Sequence, residues 1–246
     1  MTTKNEFTKL CEKYDLIPKS DSKNNAIQYL INNINQYNAG EKPDAYLEFE
    51  DHVYAIEHFQ ISQYNREKKG DIAKIVKGSQ NNREKMKADQ DLDYKPSLKN
   101  LFEALDANLI KHSNSFDEYK RNICQGKNFS EAAYRLVIFI EDATESGYIV
   151  KKGNTVTINP LLLQDIVDIL LKYQGKIWGV IYTYGNEVIK TVTGYTLEEL
   201  WVKKKNRELL DPKNYAPFEY SRKNHVSKNS EDEDTNTVCI MLKDRF

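Results

Sequence analysis

Two carboxylates in one short stretch of the chain are candidate ligands of a metal ion. Asp44 follows Pro43, and twelve residues separate it from Glu57. Carboxylate oxygens are the ligands that Mg²⁺ prefers, and a bound divalent ion can activate water and stabilise the charge that develops on a phosphate. The two residues therefore indicate a binding site for one divalent cation, provided that the fold brings their side chains together.

A β-hairpin over residues 43–62 is predicted to position both carboxylates. The odd positions Ala45, Leu47 and Phe49 are apolar and the even positions Asp44, Glu48 and Glu50 are acidic, a period of two that is typical of a strand. A second run with an apolar face follows Asp51-His52, and Glu57 lies in the middle of that face. Because an isolated buried charge is costly, Glu57 is expected to be paired, hydrogen-bonded, protonated or metal-bound.

The length of the hairpin loop decides whether the two carboxylates meet. If Glu50-Asp51 forms a two-residue loop, Asp44 and Glu57 lie directly opposite each other. If Asp51-His52 forms it, they are diagonal neighbours, and a three-residue loop places them on opposite faces. In the structural interpretation of the same pattern, the carboxylates are only salt-bridged or solvated. His58 falls on the face opposite to Glu57 and is predicted to be structural.

The stretch from Pro43 to Gln60 resembles the PD-(D/E)XK nuclease superfamily. In that family an Asp opens one strand, an acidic residue and a Lys follow on the next strand, and together they hold Mg²⁺ beside the scissile phosphate. The resemblance implies that Asp44 and Glu57 are catalytic, that they bind Mg²⁺ or Mn²⁺, and that the sheet has a restriction-endonuclease-like core.

The chain departs from the family pattern at two places. The position of the family's lysine is Phe59, and Gln60 comes one place late and points to the other face. Lys68 or Lys69 of the following segment is expected to act in place of that lysine. The family's upstream helical Glu is also missing, because the helix predicted at 22–38 contains no acidic residue.

A buried strand supplies two further candidate metal ligands. The apolar residues from Leu136 to Ile140 are typical of a central strand that is buried on both faces. Glu141 and Asp142 follow at its carboxyl end, where ligands tend to bind in open α/β sheets. One of them is expected to complete a site with Glu57. Consecutive residues face opposite ways, and which of the two points inward stays open.

A basic segment at 66–87 follows the hairpin. It contains eight Lys or Arg residues against three Asp or Glu residues, whereas the whole chain has a net charge of −1. Nucleic-acid binding would therefore depend on this local patch, because contacts to phosphates supply most of the non-specific affinity. The alternative interpretation of the segment is a solvated helix or loop.

The remaining patterns predict one mixed α/β domain over residues 1–246, with a central mixed sheet flanked by helices. A division into two lobes, 1–150 and 151–246, is the alternative. Helices are expected at 5–14, at 22–38 with Asp21 or Ser22 as cap, within 97–123, at 159–173 with Asn159 as cap, and at 196–204. A second hairpin is expected around Tyr184-Gly185-Asn186, and a last strand at 236–242.

The composition narrows the class of protein. No apolar run approaches the roughly 18 residues that a membrane span needs, and no secretory signal is recognisable, so a cytoplasmic protein is predicted. The three isolated cysteines argue against a zinc site or a disulfide framework. Abundant Lys, Asn, Ile and Tyr are typical of an AT-rich genome, such as that of a low-GC bacterium or its phage.

Two functions are compatible with these patterns. The first is a divalent-metal-dependent nuclease, which a buried Glu57 beside Asp44 favours. The second is a non-catalytic binding or regulatory protein of a bacterial or phage system that keeps a degenerate nuclease-like sheet, which Phe59 in place of lysine favours.

Overall fold

A computed structural model describes residues 6–61, 98–127, 129–142, 149–150, 159–185, 188–211 and 215–216. A seven-stranded mixed sheet, curled into a half-barrel and flanked by helices, forms its centre, so the predicted mixed α/β class is confirmed. The helices are α1 (Glu6–Lys13), α2 (Asn25–Asn32), α3 (Leu98–Asn114), α4 (Phe116–Lys127), α5 (Gln164–Leu171) and α6 (Leu197–Lys205). The strands are β1 (Asp15–Pro18), β2 (Asn38–Ala39), β3 (Ala45–Phe49), β4 (His52–Ile61), β5 (Tyr134–Asp142), β6 (Ile149–Val150), β7 (Ile177–Gly185), β8 (Ile189–Thr196) and β9 (Tyr215–Ala216).

The strand order of the sheet is β1-β8-β7-β5-β4-β3-β2. Its three middle strands β4, β5 and β7 run parallel, so their carboxyl ends meet at one edge. β8 runs antiparallel to β7 and parallel to β1, and β3 runs antiparallel to both β4 and β2. Strands from both sides of residue 150 thus belong to one sheet, while β6 and β9 form a separate pair.

Each face of the sheet is covered by its own apolar core. The larger core lies between one face and helices α3 to α6, and it includes Leu101, Leu105 and Leu109 of α3. The smaller core lies between the other face and helices α1 and α2. β5 is buried on both faces between β4 and β7, so the prediction of a central strand from the apolar residues Leu136 to Ile140 is confirmed.

The first hairpin closes with the two-residue loop Glu50-Asp51, because Phe49 pairs with His52. Glu50 takes a left-handed φ of 52°, an uncommon conformation for a residue with a side chain that such a tight turn imposes. The last pair in the ladder is Ala45 with Ile56, so the residues that follow, Asp44 and Glu57, are directly opposite.

Two predicted helix starts are wrong. α2 begins at Asn25, and its cap is Asn24, whose side chain accepts hydrogen bonds from the N–H groups of residues 26 and 27. Ser22 is not the cap because its hydroxyl donates to Glu199 of α6. At the other site, Asn159 caps only a 3₁₀ turn at 160–162. Leu163 pairs with Leu210 in an isolated β-bridge, so α5 begins only at residue 164.

The other elements agree with the predicted order in part. α6 forms close to the predicted range 196–204, and Thr196 and Glu199 form a capping box at its start. α2 ends at residue 32 rather than 38, and residues 38–39 form β2. The strand predicted at 236–242 lies outside the described residues. Within the described ranges, no helix has the length and apolar character that crossing a membrane requires.

Candidate functional site

Glu57 of β4 is buried against α3 and α4, with 3% of its surface exposed. Its Oε2 lies 2.9 Å from Nδ1 of His112, which belongs to the last turn of α3. The same nitrogen is 3.1 Å from the hydroxyl of Tyr119 in α4. Burial and the negative charge of Glu57 raise the pKa of Tyr119 to about 12, so its hydroxyl stays protonated and donates a hydrogen bond to the Glu57 carboxylate. Glu57 therefore has the polar partners that a buried carboxylate requires.

Asp44 is half-buried immediately before β3. Its Oδ2 accepts a hydrogen bond of 2.8 Å from the backbone N–H of His58, which fixes the carboxylate against β4. Burial raises the pKa of Asp44 to about 6, the negative charge of Glu57 adds to this effect, and the hydrogen bond from His58 opposes it. The two carboxylates thus repel each other in a site that is partly shielded from water.

Asp44 and Glu57 are suited to a divalent cation in their chemistry. Mg²⁺ is usually held by one or two carboxylates and keeps several waters, so two such ligands suffice. Across the described part of the chain, no group of three or more His, Cys, Asp or Glu side chains is arranged to hold a metal ion. The pair would therefore form a site that water and substrate oxygens complete.

Glu141 and Asp142 do not lie beside Glu57. Glu141 is on the opposite face of the sheet, where its Oε1 accepts hydrogen bonds from Tyr14 at 3.0 Å and Gln60 at 3.1 Å. Asp142 shares a face with Glu57, but the register pairs Glu57 with Ile138, four residues earlier in β5. At strand spacing this separates the two positions by about 13 Å.

Asp142 instead belongs to a cluster at the carboxyl edge of the parallel strands. Its Oδ2 accepts a hydrogen bond of 2.8 Å from the hydroxyl of Tyr182 in β7. Its backbone carbonyl accepts one of 2.7 Å from Nζ of Lys190, a lysine with 2% of its surface exposed. The cluster joins β5, β7 and β8 and satisfies polar groups that the sheet has buried.

His58 lies on the face opposite to Glu57, as the alternation of the strand predicts. Its Nδ1 is 3.3 Å from Oε2 of Glu6 in α1, and its Nε2 is 3.3 Å from Oε2 of Glu141. Burial opposes protonation of His58, but the two carboxylates outweigh it and raise the pKa to about 9. Burial likewise works against the charge of Glu141, but His58, with Lys13, lowers its pKa to about 2. The ion pairs of Glu6 with His58 and of Lys13 with Glu141 connect α1 to the sheet.

The local sequence pattern around Glu57 does not identify His112 and Tyr119 as its partners. The apolar stripe of α3 continues at helical spacing from Leu105 through Leu109 to His112, so the periodicity could have placed this histidine in the core. Phe59, at the position of the family's lysine, stacks on His112 with ring centres 5.5 Å apart and an angle of 11°. The side chain at that position therefore packs in the core against the histidine that contacts Glu57.

Lys68, Lys69 and the whole basic segment 66–87 lie outside the described residues. Their expected roles in catalysis and in nucleic-acid binding stay predictions.

Comparison of the chain with protein-family models, with curated proteins and with solved structures finds no match.

Proposed function

We propose that the protein is a divalent-metal-dependent nuclease that hydrolyses phosphodiester bonds and resembles the PD-(D/E)XK enzymes, with a restriction-endonuclease-like core. The observation that supports this proposal is the register of the first hairpin, which sets Asp44 directly opposite Glu57. Burial, and with it the negative charge of Glu57, raises the pKa of Asp44 to about 6. A bound cation would remove that repulsion.

In this proposal Asp44 and Glu57 hold Mg²⁺ or Mn²⁺, which when bound supplies an activated water and stabilises the charge that develops on the phosphate. The backbone N–H of His58 orients the Asp44 carboxylate. His112 keeps the Glu57 carboxylate in place from the side of α3. Both acidic side chains are thus held before a metal or substrate arrives, which lowers the entropic cost of binding.

The segment outside the described residues has two roles in the same proposal. Lys68 or Lys69 acts in place of the family's lysine, and the basic segment 66–87 contacts the phosphate backbone. The local excess of eight basic over three acidic residues supports the second role.

The direct test is metal-dependent cleavage of labelled single- and double-stranded DNA and RNA. Wild type is expected to cleave at least one substrate with Mg²⁺ or Mn²⁺, and Glu57→Gln is expected to lose the activity, because an amide oxygen carries no net charge to hold the ion. Glu48→Gln is the matched control, since Glu48 belongs to the same hairpin and is exposed. Equal cleavage by Glu57→Gln and wild type would refute the assignment.

Metal binding can be measured separately from cleavage. A ligand that binds only the folded state stabilises it, so Mn²⁺ is expected to raise the melting temperature of wild type and of Glu48→Gln, but not that of Glu57→Gln. An equal rise in all three proteins would place the bound ion elsewhere.

The second candidate is a non-catalytic binding or regulatory protein of a bacterial or phage system. Phe59 favours it, because this side chain packs on His112 where the family has a lysine. Absence of cleavage on every substrate, with normal folding of wild type, would support this candidate over the nuclease.

A further inference from the structure

A cleft lies at the amino end of the parallel strands, opposite to the end where Asp142 lies. It has a volume of about 390 Å³ and is bounded by the first hairpin loop, the start of α2 and the amino ends of β5 and β7. None of its lining residues belongs to the Asp44–Glu57 site. Its volume falls within the range of small-molecule sites.

Arg135 is a half-buried cation in this cleft that no described carboxylate neutralises. Its Nη1 donates to the carbonyl oxygens of Ala132 at 2.7 Å and Tyr134 at 2.8 Å, and its Nη2 donates to Nε2 of His52 at 3.1 Å. A guanidinium has five N–H donors, so two of them have no partner among the described residues. An arginine held in place with free donors is suited to bind a phosphate or a carboxylate.

The other polar groups of the cleft are also mostly donors. Because arginine cannot accept a hydrogen bond, Nε2 of His52 must be the acceptor, and in the neutral ring the proton is on Nδ1. Lys23 is exposed at the rim, and its ammonium makes no ion pair with a described residue. Among the described lining residues, Glu50 is the one carboxylate, so two permanent cations face a single negative charge.

Tyr54 is a buried side chain whose polar end has no partner in the described structure. It lines the cleft, 4% of its surface is exposed, and its hydroxyl makes no hydrogen bond with a described residue. Burial raises the pKa of this hydroxyl, so it stays a protonated donor near neutral pH. The hydroxyl is not sealed from solvent, so water or a ligand that enters the cleft can accept its proton.

Trp178 forms an aromatic wall of the cleft because β7 contains a bulge. The pairing of β5 with β7 passes from Leu136–Ile177 to Val137–Gly179 and omits Trp178. Such bulges re-aim a side chain and are frequent beside functional sites. The indole is half-buried, and its ring centre lies 5.0 Å from that of Tyr54.

We propose that this cleft binds a nucleotide, with its phosphate on Arg135 and Lys23 and its base against Trp178. The donors of His52 and Tyr54 supply further hydrogen bonds to the phosphate oxygens. Charge-assisted hydrogen bonds select the anion, and an aromatic face accepts any base. The ligand is either a free nucleotide or the terminal nucleotide of a nucleic acid.

Intrinsic fluorescence gives a direct test. The chain has two tryptophans, so Trp201→Phe leaves Trp178 as the sole reporter. Titration of this variant with a nucleoside monophosphate is expected to quench the emission saturably, and inorganic phosphate and the unphosphorylated nucleoside are expected to bind more weakly. A 5′-phosphorylated oligonucleotide that binds more tightly than the monophosphate would identify a chain end as the ligand. No saturable change, or equal binding of phosphate alone, would overturn the proposal.

Substitutions separate binding from folding. Tyr54→Phe removes a hydroxyl without a described hydrogen bond, so the melting temperature is expected to stay unchanged while nucleotide binding weakens roughly tenfold, as for a lost hydrogen bond to a charged group. Arg135→Gln is expected to weaken binding at least as much. Arg121→Gln, at an exposed arginine of α4, is the matched control and is expected to bind as the parent does. Unchanged binding in Tyr54→Phe and Arg135→Gln would refute the assignment of the donors.

Discussion

The ion pairs of His58 predict a stability that falls as the pH rises. The pKa of His58 is raised from its ordinary value of 6.5 to about 9, because Glu141 and Glu6 together outweigh the cost of burial. A folded-state pKa above that of the unfolded chain means that the stabilisation is complete below pH 6.5 and is lost as the pH rises towards 9. Only 15% of the side chain is exposed, so little screening is expected. The shift is worth about 3 kcal/mol.

Urea unfolding at about pH 6 and about pH 9.5 measures this contribution. His58→Gln is expected to be less stable than wild type by about 3 kcal/mol at the lower pH, and the gap is expected to close at the higher pH. His52→Gln is the matched control, because His52 lies on the same strand and has no carboxylate partner in the described structure. A gap between wild type and His58→Gln that is constant with pH, or equal to that of the control, would refute the argument.

Two further substitutions test the packing and the helix starts. Leu105→Ala removes a fully buried side chain from the larger core and is expected to lower the free energy of unfolding by roughly 2–5 kcal/mol. Ile110→Ala, at a 47% exposed site of the same helix, is the control and is expected to lower it far less. Thr196→Ala breaks the capping box of α6 and is expected to lower the free energy of unfolding, measured by thermal unfolding, by about 1 kcal/mol. A decrease below a few tenths of a kcal/mol would show that the box contributes little to stability.

Much of the sheet could be predicted because its signals are local. The alternation from Ala45 onward predicted the first hairpin, and five apolar residues in succession predicted β5 as a central strand. Both signals arise because burial repeats with the geometry of the strand itself. The capping box at Thr196 was recognisable for the same reason, since its two residues are only three apart.

The parts that sequence analysis missed depend on contacts between distant residues. β1 is four residues long, is mostly exposed and pairs with β8, so its local pattern contains no strand signal. The contact between His112 and Glu57 joins α3 to β4, and only the packed structure reveals it. The side of the sheet that Glu141 faces depended on the register of β4 and β5, which the strand pattern alone does not determine.

The pairing of β1 with β8 has a consequence for how the protein folds. Ser20, just beyond β1, donates a hydrogen bond to the carbonyl of Gly194 across a separation of 174 residues. Such distant pairings form slowly, because the intervening chain loses conformational entropy before the contacts that compensate for this loss have formed. During synthesis β1 has no partner strand until β8 has left the ribosome. We therefore expect the edge at β1 and β8 to become protected from hydrogen exchange last, after the hairpin of β3 and β4 has formed.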